Sequence, residues 1–427
     1  MAASDRPGLF SSLAYPDYRR LWAATLCGQS AAWALLVLRG ALVYRLTDSN
    51  TWVGLVTMAA LLPGLVVTPV AGFLADRFDR RKLLALTFGL NTAHNLLLAL
   101  LALSGGITEW QLLGLAVLNG SIRAAEMPTG QALLPNLVPP GRLLNAVALN
   151  QLMQQGSRMV GPLLVLPVVT LIDPEPAFIV CAALYAVGWS QVLRIGTVSR
   201  GVIAPAQGMM VNLVAGVRYI YTHPLLLSVM VFTVLHCALT MAFESIFPFF
   251  SRAQLGMETG KELFEGPTYL MIGVGAGSIV GNLALARIEG QRLRGRLFLW
   301  LGLLSGLTPI ALGFASNIPQ AVMAAAAMGA ATAAFMTISH TIVQAAAPDA
   351  LRGRVMSANT WHVQGTMAGF NGLNGVLMDL PWMTAPILLS GTGMLFVALV
   401  LGSLLTAQLR LVYARGIPAT RGSVAVG

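Results

Sequence analysis

Charge is scarce in this chain. Asp, Glu, Lys and Arg make up only 10% of its 427 residues, where soluble domains carry roughly 25%. That excludes an ordinary water-facing domain, which would lack ionised groups to cover its surface. Cysteine is scarce too. Cys27, Cys181 and Cys237 lie in apolar stretches without metal-ligand spacing, so neither a disulfide framework nor a metal site is expected. A Gly-rich loop ending in Lys-Ser or Lys-Thr is missing, which argues against ATP drive. Met1 to Arg20 has no apolar core ahead of a small-residue cleavage site, so no removable signal peptide is expected and the first span is read as its own insertion signal. No nucleophile, base and orienting acid group together, so neither an enzyme nor a cofactor is expected.

What is abundant is apolar: 56% of residues are hydrophobic, in blocks of roughly 20, the length a helix needs to cross a hydrocarbon core of about 30 Å. Runs such as Leu96-Leu97-Leu98-Ala99-Leu100-Leu101 lack the alternation of a membrane barrel, so helices must satisfy the backbone. The fold class read from this is an all-α membrane protein with twelve transmembrane helices. They are expected near 21–45, 51–75, 83–104, 110–136, 143–171, 176–194, 224–250, 267–288, 297–316, 319–346, 355–379 and 385–411. The stretch 195–223 divides them six and six. This gives an N-terminal six-helix bundle over 1–194, a linker over 195–223 with a possible amphipathic surface helix at Gly208 to Tyr221, and a C-terminal bundle over 224–427.

The net charge of +10 does not imply nucleic acid, because the basic residues sit in connectors rather than on one domain. Counted with the N-terminus inside, inner segments hold 20 Lys and Arg, while outer connectors hold only Arg45, Arg252 and Lys261. The expectation is a multi-pass protein of a bacterial inner membrane, functional as a monomer among lipid, with both termini cytoplasmic.

After the second block the chain reads Gly72-Phe73-Leu74-Ala75-Asp76-Arg77-Phe78-Asp79-Arg80-Arg81-Lys82, which resembles the signature loop between spans two and three of the major facilitator superfamily. The resemblance implies two pseudo-symmetric six-helix bundles. It also implies that Asp76, Arg77, Arg80 and Arg81 form a conformational lock against the neighbouring half. Where the common pattern has glycine, this chain has Asp79, a variant that looks like the enterobactin exporter and macrolide efflux branch. Gln131-Ala132-Leu133-Leu134-Pro135-Asn136-Leu137-Val138-Pro139, Ser157-Arg158-Met159-Val160-Gly161-Pro162 and Pro348-Asp349-Ala350-Leu351-Arg352-Gly353-Arg354 are similar to other segments of that branch. Gly161-Pro162 resembles an element of superfamily antiporters, although Leu163-Leu164 replaces the glycine pair that usually follows. By this resemblance Arg158, Gly161 and Pro162 join the gate. In span eight, Gly273, Gly277 and Gly281 at spacing four form a small-residue face suited to packing across the halves, and ordinary packing on a neighbouring helix explains them equally well.

Ionisable groups at membrane depth cost roughly 2.5–3.5 kcal/mol each on insertion scales, so they face a wet cavity or a partner. Arg39, Arg123, Glu126, Arg158 and Glu244 fall inside blocks. The resemblance puts spans one, four, seven and ten along the central path, so Arg39, Arg123, Glu126 and Glu244 are candidate substrate contacts. Arg123 and Glu126 share a helix face and could instead neutralise each other; Arg158 could pair with Glu126. His236 precedes Glu244 by about two turns, so both could point into the cavity, or His236 could be a packing histidine. A carboxyl held away from bulk water can load and release a proton, which makes Glu244, then Glu126, the proton-coupling candidates.

The reading is a secondary active transporter, a proton-coupled exporter of a small amphiphilic molecule, siderophore or drug-like, by alternating access. The alternatives are uptake of an organic anion, lysophospholipid transport, or a non-transporting receptor or assembly protein.

Overall fold

The structure is a computed structural model describing residues 10–199, 209–258, 260–286, 288, 290–348, 351–403 and 407–416. Helices run almost end to end, with no strand among the described residues. In order they are α1 (Pro16–Thr47), α2 (Asn50–Leu61), α3 (Gly64–Arg77), α4 (Arg80–Leu103), α5 (Glu109–Leu133), α6 (Leu143–Leu171), α7 (Ala177–Leu193) and α8 (Met209–Thr222). There follow α9 (Pro224–His236), α10 (Phe247–Leu255), α11 (Glu262–Ala286), α12 (Gln291–Gly313), α13 (Ile318–Ala346), α14 (Arg352–Met378), α15 (Ala385–Ser403) and α16 (Ala407–Arg415). Local chemistry marks the starts. Asp79 accepts from the Arg81 N–H to cap α4, Thr108 and Gln111 form a capping box on α5, and Asn317 caps α13.

Twelve spans result. Eight are apolar and long enough by composition alone, α2 and α3 counting as one span continuing past Leu62-Pro63, and α9 with its following turn as another. The other four are α5, α6, α7 and α14. The long ones, α5, α6 and α14, are interrupted by polar residues, and α7 has only 17 residues. An even number of crossings puts both ends of the chain on one face, termed here the termini face; the opposite face is the distal one.

Each half has its own core. Tyr18, Phe88, Phe178 and Tyr185 belong to the first; in the second, Phe298 stacks on Phe335, which meets Phe396 edge to face. Glycines set the closest approaches. A Cβ on Gly161 would collide with the Ser30 backbone carbonyl, so α6 lies directly on α1. The glycine face of span eight follows the second of its two readings, ordinary packing on a neighbouring helix. Gly273, Gly277 and Gly281 abut the carbonyls of Val322, Ala326 and Ala330 on α13 within the second half. Across the halves it is Gly275 that meets the backbone of Arg158 and Met159. Spacing four defines a face but not its partner. Between the halves, α8 runs over nearly the range expected for an amphipathic helix, and its Gly216 lies against the Arg354 carbonyl of α14.

Candidate functional site

The seventh span, expected as one helix over 224–250, is broken. After α9 the chain makes one π-helical turn over Cys237–Met241, leaves helical geometry at Ala242, and re-forms as α10 only from Phe247. Pro248 lies in the first turn of α10, where its missing N–H costs nothing. Freed backbone groups in the break need partners, and two asparagines of α14 supply them. Asn374 Nδ2 donates to the Ala242 carbonyl at 2.5 Å, and Asn371 Oδ1 accepts from the Ser245 N–H at 3.1 Å.

Glu244 sits inside this break, 8% exposed. Its Oε2 accepts from Asn371 Nδ2 at 3.0 Å. From the other half, Arg158 interacts with it electrostatically, and the Arg158 guanidinium stacks over the Trp33 ring at 4.3 Å. A carboxyl of one half thus lies within electrostatic range of a cation of the other.

Glu126 lies in a different place, inside the first half. Asn91 Nδ2 donates to its Oε2 at 3.0 Å, and Asn119 Nδ2 donates to Asn91 Oδ1 at 3.0 Å. Gly28 faces the other carboxyl oxygen; a Cβ there would stand 3.0 Å from it. Arg123 acts on Glu126 electrostatically and donates to Gln29 Oε1 at 3.4 Å, as the shared face of α5 suggested. A small polar cleft reaches Glu126 from the termini face.

Arg39 is 3% exposed, and its Nη1 has no hydrogen-bond partner. Arg123 acts on it electrostatically and it acts in turn on His94, and among the described residues no salt bridge to it is formed. His236 is packed in the second half: its Nε2 bonds Ser305 Oγ at 2.7 Å and its ring stacks on Phe335 at 4.3 Å. The structure does not bring it together with Glu244. The two-turn register that would have done so ends at the break.

In the loop after α3, Arg77 is exposed and stacks on Phe73 of its own helix at 4.2 Å. Arg80 donates to the carbonyls of Ala75 and Ala132, each at 3.0 Å, and Arg81 donates to that of Ile195 at 2.9 Å. These bonds tie the loop to its own half and to the start of the linker. The Asp76 side chain lies outside the described residues. Gly72 has nothing within 4 Å of a Cβ position, so close packing does not explain it. Pro162 is buried within α6 next to Gly161.

The distal face carries a seal that sequence reasoning missed. Asp379, the residue just beyond α14, caps the start of α2 in the other half. Its Oδ1 accepts from the Asn50 N–H at 2.8 Å and Asn50 Nδ2 at 3.0 Å; its Oδ2 accepts from Ser49 Oγ at 2.7 Å and the Thr51 N–H at 2.8 Å. Burial works to raise the carboxyl, but these bonds outweigh it and hold it down to about 2. Beside it Arg252 pairs with Asp48 and lies over Tyr44 at 5.7 Å. Glycines let the backbones meet: a Cβ on Gly54 would stand 2.8 Å from the Asn371 carbonyl, and one on Gly375 2.5 Å from that of Asn50. The one legible signal was the pair Asn371 and Asn374 inside an expected span.

Residues 8–414 match the profile of the transmembrane secretion effector family. The chain belongs to that family of major facilitator transporters. It is 25% identical over 364 residues to the multidrug efflux pump Tap of Mycolicibacterium fortuitum, covering 82% of this chain and 84% of the pump. It is 27% identical over 135 residues to the staphyloferrin A transporter of Staphylococcus aureus, covering 31% of this chain and 34% of that one. Among solved structures, a bacterial homologue of the human lysosomal transporter Spinster, inward-facing and unoccupied, superposes with a TM-score of 0.66 at 14% identity, over 99% and 100% of the two chains. The peptide transporter POT in complex with sulfate gives 0.70 at 12% identity, over 94% and 96%. These similarities establish the major facilitator fold. Family and neighbours alike are transporters, not enzymes.

Proposed function

We propose that this family member is a proton-coupled exporter of small amphiphilic organic molecules, siderophore or drug-like, sited in a bacterial inner membrane as a monomer with both termini cytoplasmic. The observation that carries the reading is Glu244, buried in the break of span seven and within electrostatic range of Arg158 of the other half. Substrate passes between the halves as they rock, and proton arrival at Glu244 removes the charge that attracts Arg158. Arg158 is then held by its stack on Trp33 alone, and the tie across the halves weakens. That links proton movement to bundle movement. Tap, an efflux pump, and the staphyloferrin A transporter support the direction and the substrate class.

Glu126 is the second coupling carboxyl, with Arg123 beside it. The distal seal belongs to the inward-facing state. Asp76, Arg77, Arg80 and Arg81 engage the other half when that seal opens, and Gly161 and Pro162 give α6 its close hinge on α1. His236 serves packing rather than substrate. In proteoliposomes with an imposed proton gradient, the wild type drives uphill movement of a fluorescent lipophilic dye, while Glu244→Gln retains downhill exchange and loses the gradient response. Gradient-driven transport at the native rate in that variant would refute the role of Glu244.

One observation favours a second reading, that the substrate carries an anionic group. Arg39 is a buried guanidinium without a salt bridge among the described residues, and an anion would complete it. Organic-anion uptake and lysophospholipid transport share that feature, and weaker binding of anionic probes by Arg39→Gln would support it.

A further inference from the structure

The two buried carboxyls occupy separate compartments. Glu244 lies where the halves meet. Glu126 faces inward among four helices of one half. Around it stand Arg123 of its own α5, Asn91 of α4, Gln29 of α1 and Tyr185 of α7, the last within electrostatic range. The cleft that reaches it is bounded by the termini-face ends of α1, α4, α5 and α6, and its polar lining is Thr25, Gln29, Gln131, Asn150 and Gln154. It offers about 20 Å³ to water centres, enough for one water, which needs roughly 10–15 Å³ and two or more polar partners. On the opposite side of Glu126, Asn91 and Asn119 fill the space between α4 and α5. Amides carry no titratable proton, so that pair orients the carboxylate and relays nothing.

We infer that Glu126 exchanges its proton with the termini face through this cleft, a route inside the first half and apart from the substrate path between the halves. The inference rests on the proton-coupled reading above. The protonated carboxyl passes its O–H proton to the cleft water. The carboxylate left behind keeps the Asn91 amide bond, and the single cleft water, its hydronium form accepted by the amide oxygens of the lining, hands its proton to solvent at the termini face. All residues lining the cleft belong to the first half, so a proton taking this route does not pass between the second-half residues around Glu244.

The test uses the full chain reconstituted in lipid, with hydrogen–deuterium exchange of carboxyl groups followed by infrared difference spectroscopy. The Glu126 and Glu244 bands are assigned from their absence in Glu126→Gln and Glu244→Gln. Filling the cleft with Thr25→Leu and Gln154→Leu is expected to slow exchange at Glu126 by about tenfold or more, the water site being lost, and to leave Glu244 unchanged. The conservative pair Thr25→Ser and Gln154→Asn should restore the native rate, which separates loss of hydration from misfolding. Unchanged exchange at Glu126, or equal slowing at both carboxyls, would overturn the separate route. Proton uptake by Glu126→Gln proteoliposomes is read independently. Native uptake there would remove Glu126 from coupling, while the exchange rates would still decide the route.

Discussion

The distal seal offers the sharpest test, through Asp379→Asn. Four donors converge on the two Asp379 oxygens, two per oxygen. An asparagine turns one oxygen into a donor. If it keeps the bonds to Asn50, its amide nitrogen then faces the Thr51 N–H, and that group loses its acceptor. Charge-assisted hydrogen bonds contribute roughly 1.5–3 kcal/mol each at best. Asp379 is exposed, however, and water replaces much of this when the seal opens. The net change between states is then near that of losing a helix N-cap, about 2 kcal/mol at the upper end, or about 30-fold in the closed-to-open ratio. Spin labels on Leu46→Cys and Trp382→Cys, both exposed and on opposite halves of the distal face, would report it by pulsed electron resonance. The short distance should dominate in the parent and give way to a longer one in Asp379→Asn. The sign of the pH effect follows from a carboxyl held low. The seal is complete above the ordinary value of 3.8 and is lost only as pH falls through about 2. Between about pH 5 and pH 8, where histidines and perturbed groups titrate, Asp379 contributes no slope. An unchanged distance distribution in Asp379→Asn at neutral pH would refute the argument.

Gly375→Val should open the same face by sterics alone, because its side chain meets the Asn50 carbonyl; the same label pair should show the long distance at every pH. Asn371→Leu removes the donor to Glu244 and the acceptor for Ser245. It should lower thermal stability in detergent by roughly 1–3 kcal/mol and impair gradient-driven transport more than dye binding. Gly161→Ala forces α6 off the Ser30 backbone, with an expected loss of about 1–3 kcal/mol read as earlier unfolding of the first half.

The fold was legible because each span announces itself by length and apolarity, and the loop from Gly72 to Lys82 resembles a family signature. The break in span seven was not. Its apolar run continues through Ala242 and Phe243, and Pro248 was the single hint that a helix might restart. Assuming one unbroken helix also aligned His236 with Glu244, and the break at Ala242 removed that register. The seal was invisible for another reason: Ser49 and Asp379 are 330 residues apart, and an acid at a span end reads as a solvated connector. Arg158 illustrates a third limit. Its depth in span five was clear, but the choice between Glu126 and Glu244 depends on which side of α6 it leaves, which the sequence of that helix does not disclose.

Three of the four spans that fall short of simple apolarity hold groups of the proposed mechanism: α5 has Glu126, α6 has Arg158 and α14 has Asn371. A membrane helix tolerates such residues only when their partners stay satisfied through every charge state. In both halves the partner that touches the carboxyl is an asparagine, not an arginine. The amide N–H bonds a carboxylate, and it still bonds the carbonyl oxygen once a proton arrives, so loading the acid leaves no donor bare. The nearby guanidiniums have neutral supports of their own, Gln29 for Arg123 and Trp33 for Arg158. Had either arginine been the direct partner, protonation would leave a buried cation unpaired, at several kcal/mol, and the carboxyl would hold its charge throughout the cycle. Asparagine contact with arginine at longer range therefore suits a group that must change charge and change it back.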